Sequence, residues 1–162
     1  MISGYKCFNE DMTNRYGKKF EECNIYFANG EIKFGNSGNG FHFCKNLEDT
    51  LRYFDIEKKF QICKVRGFGN IVSCDDEYNG YYEMYASEKI FVEKILSHEE
   101  IITYALNLND IRAERFVSQF PLTKEEIDYF KEKFYNCPNV LEAIQYYQEK
   151  DLDTYKRIVF KY

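Results

Sequence analysis

The chain has 162 residues, and 22 Lys and Arg against 27 Asp and Glu give it a formal charge of −5. That charge works against broad contact with a nucleic-acid backbone, where affinity comes from cations that release condensed counterions. The length holds one ordinary core, or one core with a smaller satellite, and with 15 Phe, 15 Tyr and no Trp that core is expected to be built largely from rings.

No apolar run approaches the roughly 18 residues of a membrane span. The opening MISGYKCF lacks a basic segment followed by an apolar one, so no signal peptide is expected. Cys7, Cys23, Cys44, Cys63, Cys74 and Cys137 form no CxxC pair, and most lie in strand-like apolar runs where a thiol behaves as a small hydrophobe. They are read as reduced thiols of a cytoplasmic protein.

Ile2 to Phe8 reads as an opening strand in which Gly4 lets another backbone come close. After a polar excursion from Asn9 to Gly17, Lys19 to Phe27 and Glu31 to Phe34 read as strands around Ala28, Asn29 and Gly30, since Asn-Gly supplies the positive φ of a tight hairpin. A second turn, Asn36 to Gly40, leads into a buried strand from Phe41 to Cys44. Asn46 is placed to cap a short helix with Glu48 and Asp49 in its first turn and Leu47, Thr50, Leu51 and Phe54 on one face. Phe60 to Arg66 and Phe68 to Ser73 read as strands joined at Gly67. Asp75 to Gly80 is a charged turn, and Tyr81 to Ala86 and Ile90 to Leu96 are further strands.

Beyond Leu96 the apolar period changes from two to 3.6. Ser97 caps a run through Ile101, Ile102, Ala105 and Leu106. A second helix over Asp110 to Gln119 stops before Pro121, because the residue preceding proline is steered out of the α region. Thr123 and Glu126 have capping-box spacing, with Ile127, Phe130, Phe134 and Tyr135 behind them. Pro138 or Asn139 starts another helix through Ile144 and Tyr147, and Leu152 to Phe160 completes the set. The expected fold is α+β: a mostly antiparallel sheet with a short helix over residues 1–96, then short antiparallel helices over residues 97–162.

Strand and loop edges tend to carry binding chemistry, and GNSGNG runs straight into His42 on a strand. Gly35, Gly38 and Gly40 are the candidate ligand-binding positions. The segment matches neither the dinucleotide fingerprint nor a phosphate loop, and turn geometry accounts for it equally well. The two histidines, His42 and His98, have no zinc-ligand neighbours, so no metal or other cofactor is read from the residues. Asp75, Asp76 and Glu77 could hold a hard cation but lack EF-hand spacing. Glu83 stands in an aromatic run, YYEMY, where a carboxylate avoids burial unless paired.

The segments GYKCFN, GFHFC with LEDTLRYFD, and SEKIFVEKIL together resemble a family of uncharacterised phage and prophage proteins that start with a GYKxF strand and carry GFHFC near the middle. The likeness spans most of residues 1–96. That family has no established activity; its mobile-element context, taken with the acidic charge, the tyrosine content and the absence of a complete catalytic set, leads one to expect a phage or mobile-element accessory protein that binds and inhibits a host protein, of the anti-defence or anti-CRISPR type. The acidic charge would suit a basic, nucleic-acid-binding host complex as that partner. Tyr146, Tyr147 and Tyr155 are the candidate contact residues, because tyrosine is enriched at interfaces. The order of parts is also similar to the mono-ADP-ribosyltransferases. That resemblance implies that Lys6 and the glycine turn bind NAD, that His42 flanks the nicotinamide where the family has Tyr, and that Glu83 stabilises the developing oxocarbenium ion.

Overall fold

The computed structural model describes residues 1–53, 58–74 and 83–149. The chain forms an α+β protein in two compact units, one of residues 1–54 and 59–96, the other of residues 55–58 and 97–162.

The first unit has five strands: β1 (Ile2–Asn9), β2 (Asn24–Phe27), β3 (Phe41–Cys44), β4 (Phe60–Ser73) and β5 (Met84–Ile95). Every pairing is antiparallel. β4 pairs with both β1 and β5, and β3 bridges β1 to β5, so four strands close on themselves while β2 joins the β3 side of β5. Phe8, Phe20, Phe41, Phe43, Val65, Ile90 and Val92 fill the interior. Phe20 lies 4.8 Å from Phe8 and 4.7 Å from Tyr26, centroid to centroid, as the ring-heavy composition leads one to expect.

Closure depends on two glycines. A Cβ on Gly4 would stand 2.2 Å from the Cys44 carbonyl oxygen and 2.8 Å from the Phe43 ring, and one on Gly67 would meet the same ring at 2.5 Å. Without side chains at these positions, β3 can lie across β1 and Phe43 can sink between β1 and β4. The expected strand break at Gly67 is therefore corrected: β4 runs unbroken for 14 residues, because Gly67 makes room for Phe43 and does not turn the chain. The ladder to β5 shifts register at two other places, between Lys64 and Val65 and between Phe68 and Ile71, and in the second Gly69 has φ of 79°.

Two other expectations are corrected. Tyr26 pairs with Ile90 of β5, so no hairpin joins residues 19–27 to 31–34. Lys33 instead bridges Asn39 across the glycine turn, because β5 offers a long partner whose Ile90 and Val92 extend the core. The strands expected at 81–86 and 90–96 are the single strand β5, with Tyr81 and Tyr82 outside the described residues. Helix α1 (Leu47–Thr50) is one turn, followed by a 3₁₀ turn over Leu51–Tyr53. Asn46 stands at its N-cap without a side-chain cap bond; its amide donates to Asp49 Oδ2 at 3.2 Å.

The second unit holds α2 (His98–Leu106), α3 (Asp110–Val117), α4 (Lys124–Lys133) and α5 (Pro138–Ile144). Capping boxes form at Ser97 with Glu100 and at Thr123 with Glu126, and Asn109 caps α3. Four rings stack in the order Phe120, Phe116, Phe130 and Phe134 at 4.9–6.0 Å. α5 passes into a π-helical turn over Gln145–Glu149, which the apolar pattern does not announce. Gln148, on that turn, donates to the Val117 and Phe120 carbonyls at 2.5 and 2.8 Å and accepts from Leu122 N–H at 3.1 Å. One amide thus satisfies the frayed end of α3 ahead of Pro121. The helix expected over 152–160 lies outside the described residues.

Gly4→Ala is expected to cost at least about 3 kcal/mol, the upper end of overpacking penalties, because its nearest neighbour is backbone and cannot rotate away; urea unfolding measures it. Gln148→Leu is expected to lose about 1–3 kcal/mol, since the α3 carbonyls keep no partner of equal geometry; the same titration, followed by circular dichroism at the helix band, reads it.

Candidate functional site

Lys6 and His42 come together. Lys6 extends from β1 and donates to the His42 carbonyl oxygen at 2.5 Å, with its amine 5.7 Å from the Phe8 ring centroid. Burial pulls that amine down from 10.5 to about 8, with a smaller push from Arg15. Lys6 therefore ties β1 to the backbone of β3.

His42 is half-buried and engaged at both ring nitrogens. Its Nε2 accepts from Gly35 N–H at 3.1 Å. Its Nδ1 lies 3.3 Å from the Gly40 carbonyl, which makes Nδ1 the protonated nitrogen, and Phe34 covers the ring at 4.8 Å. Burial first, then the Lys6 charge, hold its pKa below 6.5. A protonated Nε2 would turn a second N–H toward that of Gly35, so the neutral ring is the form that fits.

The candidate glycines serve this arrangement. Gly38 N–H donates to the Gly35 carbonyl at 3.0 Å, and a Cβ on Gly38 would stand 2.1 Å from the Lys33 carbonyl oxygen. Gly40 has φ of 108°. The imidazole is strapped at both nitrogens by the backbone of the turn that precedes it.

Glu83 stands apart from this pair. It precedes β5, is exposed, and its carbonyl accepts from Lys45 N–H at 2.7 Å. His42 pairs with Ala86, so Glu83 lies three residues further along, about 10 Å at the rise of a strand. By alternation its side chain takes the opposite face from Ala86.

In the helical unit, Tyr146 and Tyr147 meet edge to face at 5.0 Å. They line an open groove of about 420 Å³ with Glu114, Asn139, Glu142, Ala143 and Gln145. The Glu114 carboxylate already accepts from Asn139 at 2.9 Å. Tyr155, Asp75, Asp76 and Glu77 lie outside the described residues. Among the described residues no three His, Cys, Asp or Glu side chains converge as a metal site.

The sequence reading missed the outer face of the first unit. Pairing sets Ile25 beside Phe91 and Phe91 beside Arg66, and in the next row Phe27 beside Lys89 and Lys89 beside Phe68. Ile25 and Phe27 are 48% and 61% exposed. Met1, Ile25, Arg66, Phe68 and Phe91 line an apolar groove of about 340 Å³. Glu93 holds Arg66 at 2.6 Å and Lys64 at 3.3 Å, and the Arg66 bond is the main reason its carboxyl lies below the usual range. The Lys89 amine sits 5.7 Å over the Phe27 ring. The signal was the unbroken run Ile90, Phe91, Val92: two of its members fill the interior, and Phe91 points out.

A family model for a domain of unknown function, DUF7666, matches residues 2–103. The chain belongs to the DUF7666 family. No curated protein and no solved structure matches it. The DUF7666 match takes in all five strands, and with them Lys6, His42, Glu83, the glycine turn and the outer face.

The thiols of this DUF7666 domain divide by environment. Burial raises Cys7 and Cys63 to about 12 and raises Cys44 as well, whereas Cys23 is exposed. In native protein Cys23 is expected to react fastest with Ellman's reagent, Cys23→Ser to remove that phase, and Cys44 and Cys63 to react only on unfolding; thiol titration with and without urea checks it. For His42 the folded pKa is the lower one, so the neutral ring's contribution is complete above 6.5 and is lost as pH falls through the folded value. Urea midpoints measured from pH 7.5 to 5 are expected to fall, with a shallower decline in His42→Gln, which keeps an acceptor but does not titrate.

Proposed function

We propose that this protein is a binding module for another protein, and that its outer sheet face is the surface that does the work. One observation carries the reading: the apolar and aromatic side chains Ile25, Phe27, Phe68 and Phe91 stand together on one side of a sheet whose interior is already filled. Monomeric proteins leave large contiguous apolar surface exposed chiefly where something binds, and interface cores are rich in aromatic residues and Arg. A rigid closed sheet suits this role, since little order is lost on binding. The GYKCF and GFHFC resemblance supports a host protein of a mobile element as partner, and inhibition as the outcome.

The transferase reading draws less support. His42 has both nitrogens engaged by its own turn and Phe34 on its ring, so stacking on a nicotinamide would first require that turn to open. Glu83 is about three residues distant along the neighbouring strand and on the other face.

The test is affinity capture from the natural host with wild-type protein and with Phe91→Glu, an exposed-face change expected to leave the fold intact by circular dichroism. A partner recovered in stoichiometric amount by the wild type and lost at least tenfold by the variant is the expected result. Equal recovery by both removes the outer face from the reading. Transfer of label from radiolabelled NAD to any protein, abolished by Glu83→Gln, would replace binding with catalysis.

A further inference from the structure

The outer face ends at β2, and β2 is an edge. Ala28 N–H donates to the Glu88 carbonyl at 2.8 Å, and Tyr26 and Asn24 pair with Ile90 and Val92. In an antiparallel ladder alternate residues turn their N–H and C=O groups to the same neighbour, so Ile25 and Phe27 turn theirs the other way, out of the sheet. Those groups carry no hydrogen bond among the described residues. An open edge of this kind is a template for another strand, and natural sheets blunt it with charge, proline or cover. The sequence of β2, NIYF, supplies neither charge nor proline.

Resting on the protein-binding reading, we propose that β2 accepts an extended segment of the partner as an added strand, an apolar segment carrying a carboxylate level with Lys89. Main-chain bonds to Ile25 and Phe27 supply affinity, and alternate side chains of the segment supply selectivity. Residues opposite Ile25 and Phe27 project on the outer face, where they cover both side chains at the mouth of the groove that Phe91 lines. The charge follows from the cations. Lys64 and Arg66 already share the Glu93 carboxylate. Glu88 turns its carboxylate to Asn70 N–H at 3.0 Å. Lys89 has no carboxylate partner among the described residues and stands over Phe27, where an acidic group on an added strand can reach it.

The same features argue against other occupants. A nucleic acid has no alternating N–H and C=O edge to offer, and three cations, two of them sharing one carboxylate, on a chain of net charge −5 give little counterion release. A second copy of β2 holds no acidic side chain and would leave Lys89 without one.

The experiment selects displayed random decapeptides on the immobilised full-length protein, then measures fluorescein-labelled winners by anisotropy and by amide hydrogen exchange. Winners are expected to alternate apolar residues with at least one Asp or Glu. Ile25→Lys and Phe27→Lys, both at exposed positions, are expected to weaken them at least tenfold. Lys89→Ala is expected to weaken them several-fold and flatten the salt dependence, and exchange at the Ile25 and Phe27 amides is expected to slow at least tenfold on binding. Methylating alternate peptide nitrogens should abolish binding in one register and spare it in the other. Peptides that lose affinity in Phe91→Glu while the Ile25 and Phe27 amides stay unprotected would sink the added strand and leave the protein-binding reading standing. Peptides indifferent to all four substitutions would sink both. Binding of labelled oligothymidylate that requires Phe91, or self-association in the ultracentrifuge abolished by Phe27→Lys, would overturn the proposal in favour of a nucleic acid or a second copy.

Discussion

The seat of Phe43 is the contact on which the first unit depends. Its ring rests where Gly4 and Gly67 have no side chains, and β3 crosses β1 only because the Cys44 carbonyl can approach Gly4 more closely than any Cβ permits. With β3 so held, β1 and β5 are linked and the strands close around the rings of Phe8, Phe20 and Phe41. Closure removes most of the sheet edges that would otherwise invite pairing. β2 is left out of the ring, and its outward edge lies beside the apolar outer face.

The Lys6 and His42 pair acquires its meaning from that geometry. Lys6 donates to the backbone of β3, and His42 takes the glycine turn by both ring nitrogens, so the two residues hold together a crossing that glycine makes sterically open. Their shifted pKa values share a main cause, the removal of a cationic form from water. A perturbed pKa in such a place accompanies structure as readily as chemistry.

Much of the architecture was legible in the sequence. The change from period two to period 3.6 near Leu96 separated sheet from helices, the Ser97 and Thr123 caps marked the starts of α2 and α4, and Gly4 was legible as a point of close approach. Those signals are local, arising from side chains a few residues apart. The hairpin at Asn29 and Gly30 was misread because turn chemistry says that a chain can reverse and not which strand it then meets. The break at Gly67 was misread for a related reason: glycine in a strand signals either a bend or a neighbour needing space, and the neighbour, Phe43, lies 24 residues away. The Gln148 clamp was invisible because its partners are carbonyls, which every residue carries.

The sequence by itself determined the α+β class, the change of period between the sheet and the helices, the caps of α2 and α4 and the burial of Cys44 and Cys63, though not of most of the thiols, since these follow from local periodicity and from the hydrophobicity of each segment. Only the tertiary structure decided that His42 is bound by its own loop, that Glu83 stands away from it, and that Ile25, Phe27, Phe68 and Phe91 share a face. These are relations between strands far apart in the chain, fixed by pairing register, and a shift of one residue in that register would send each of those side chains to the opposite side of the sheet.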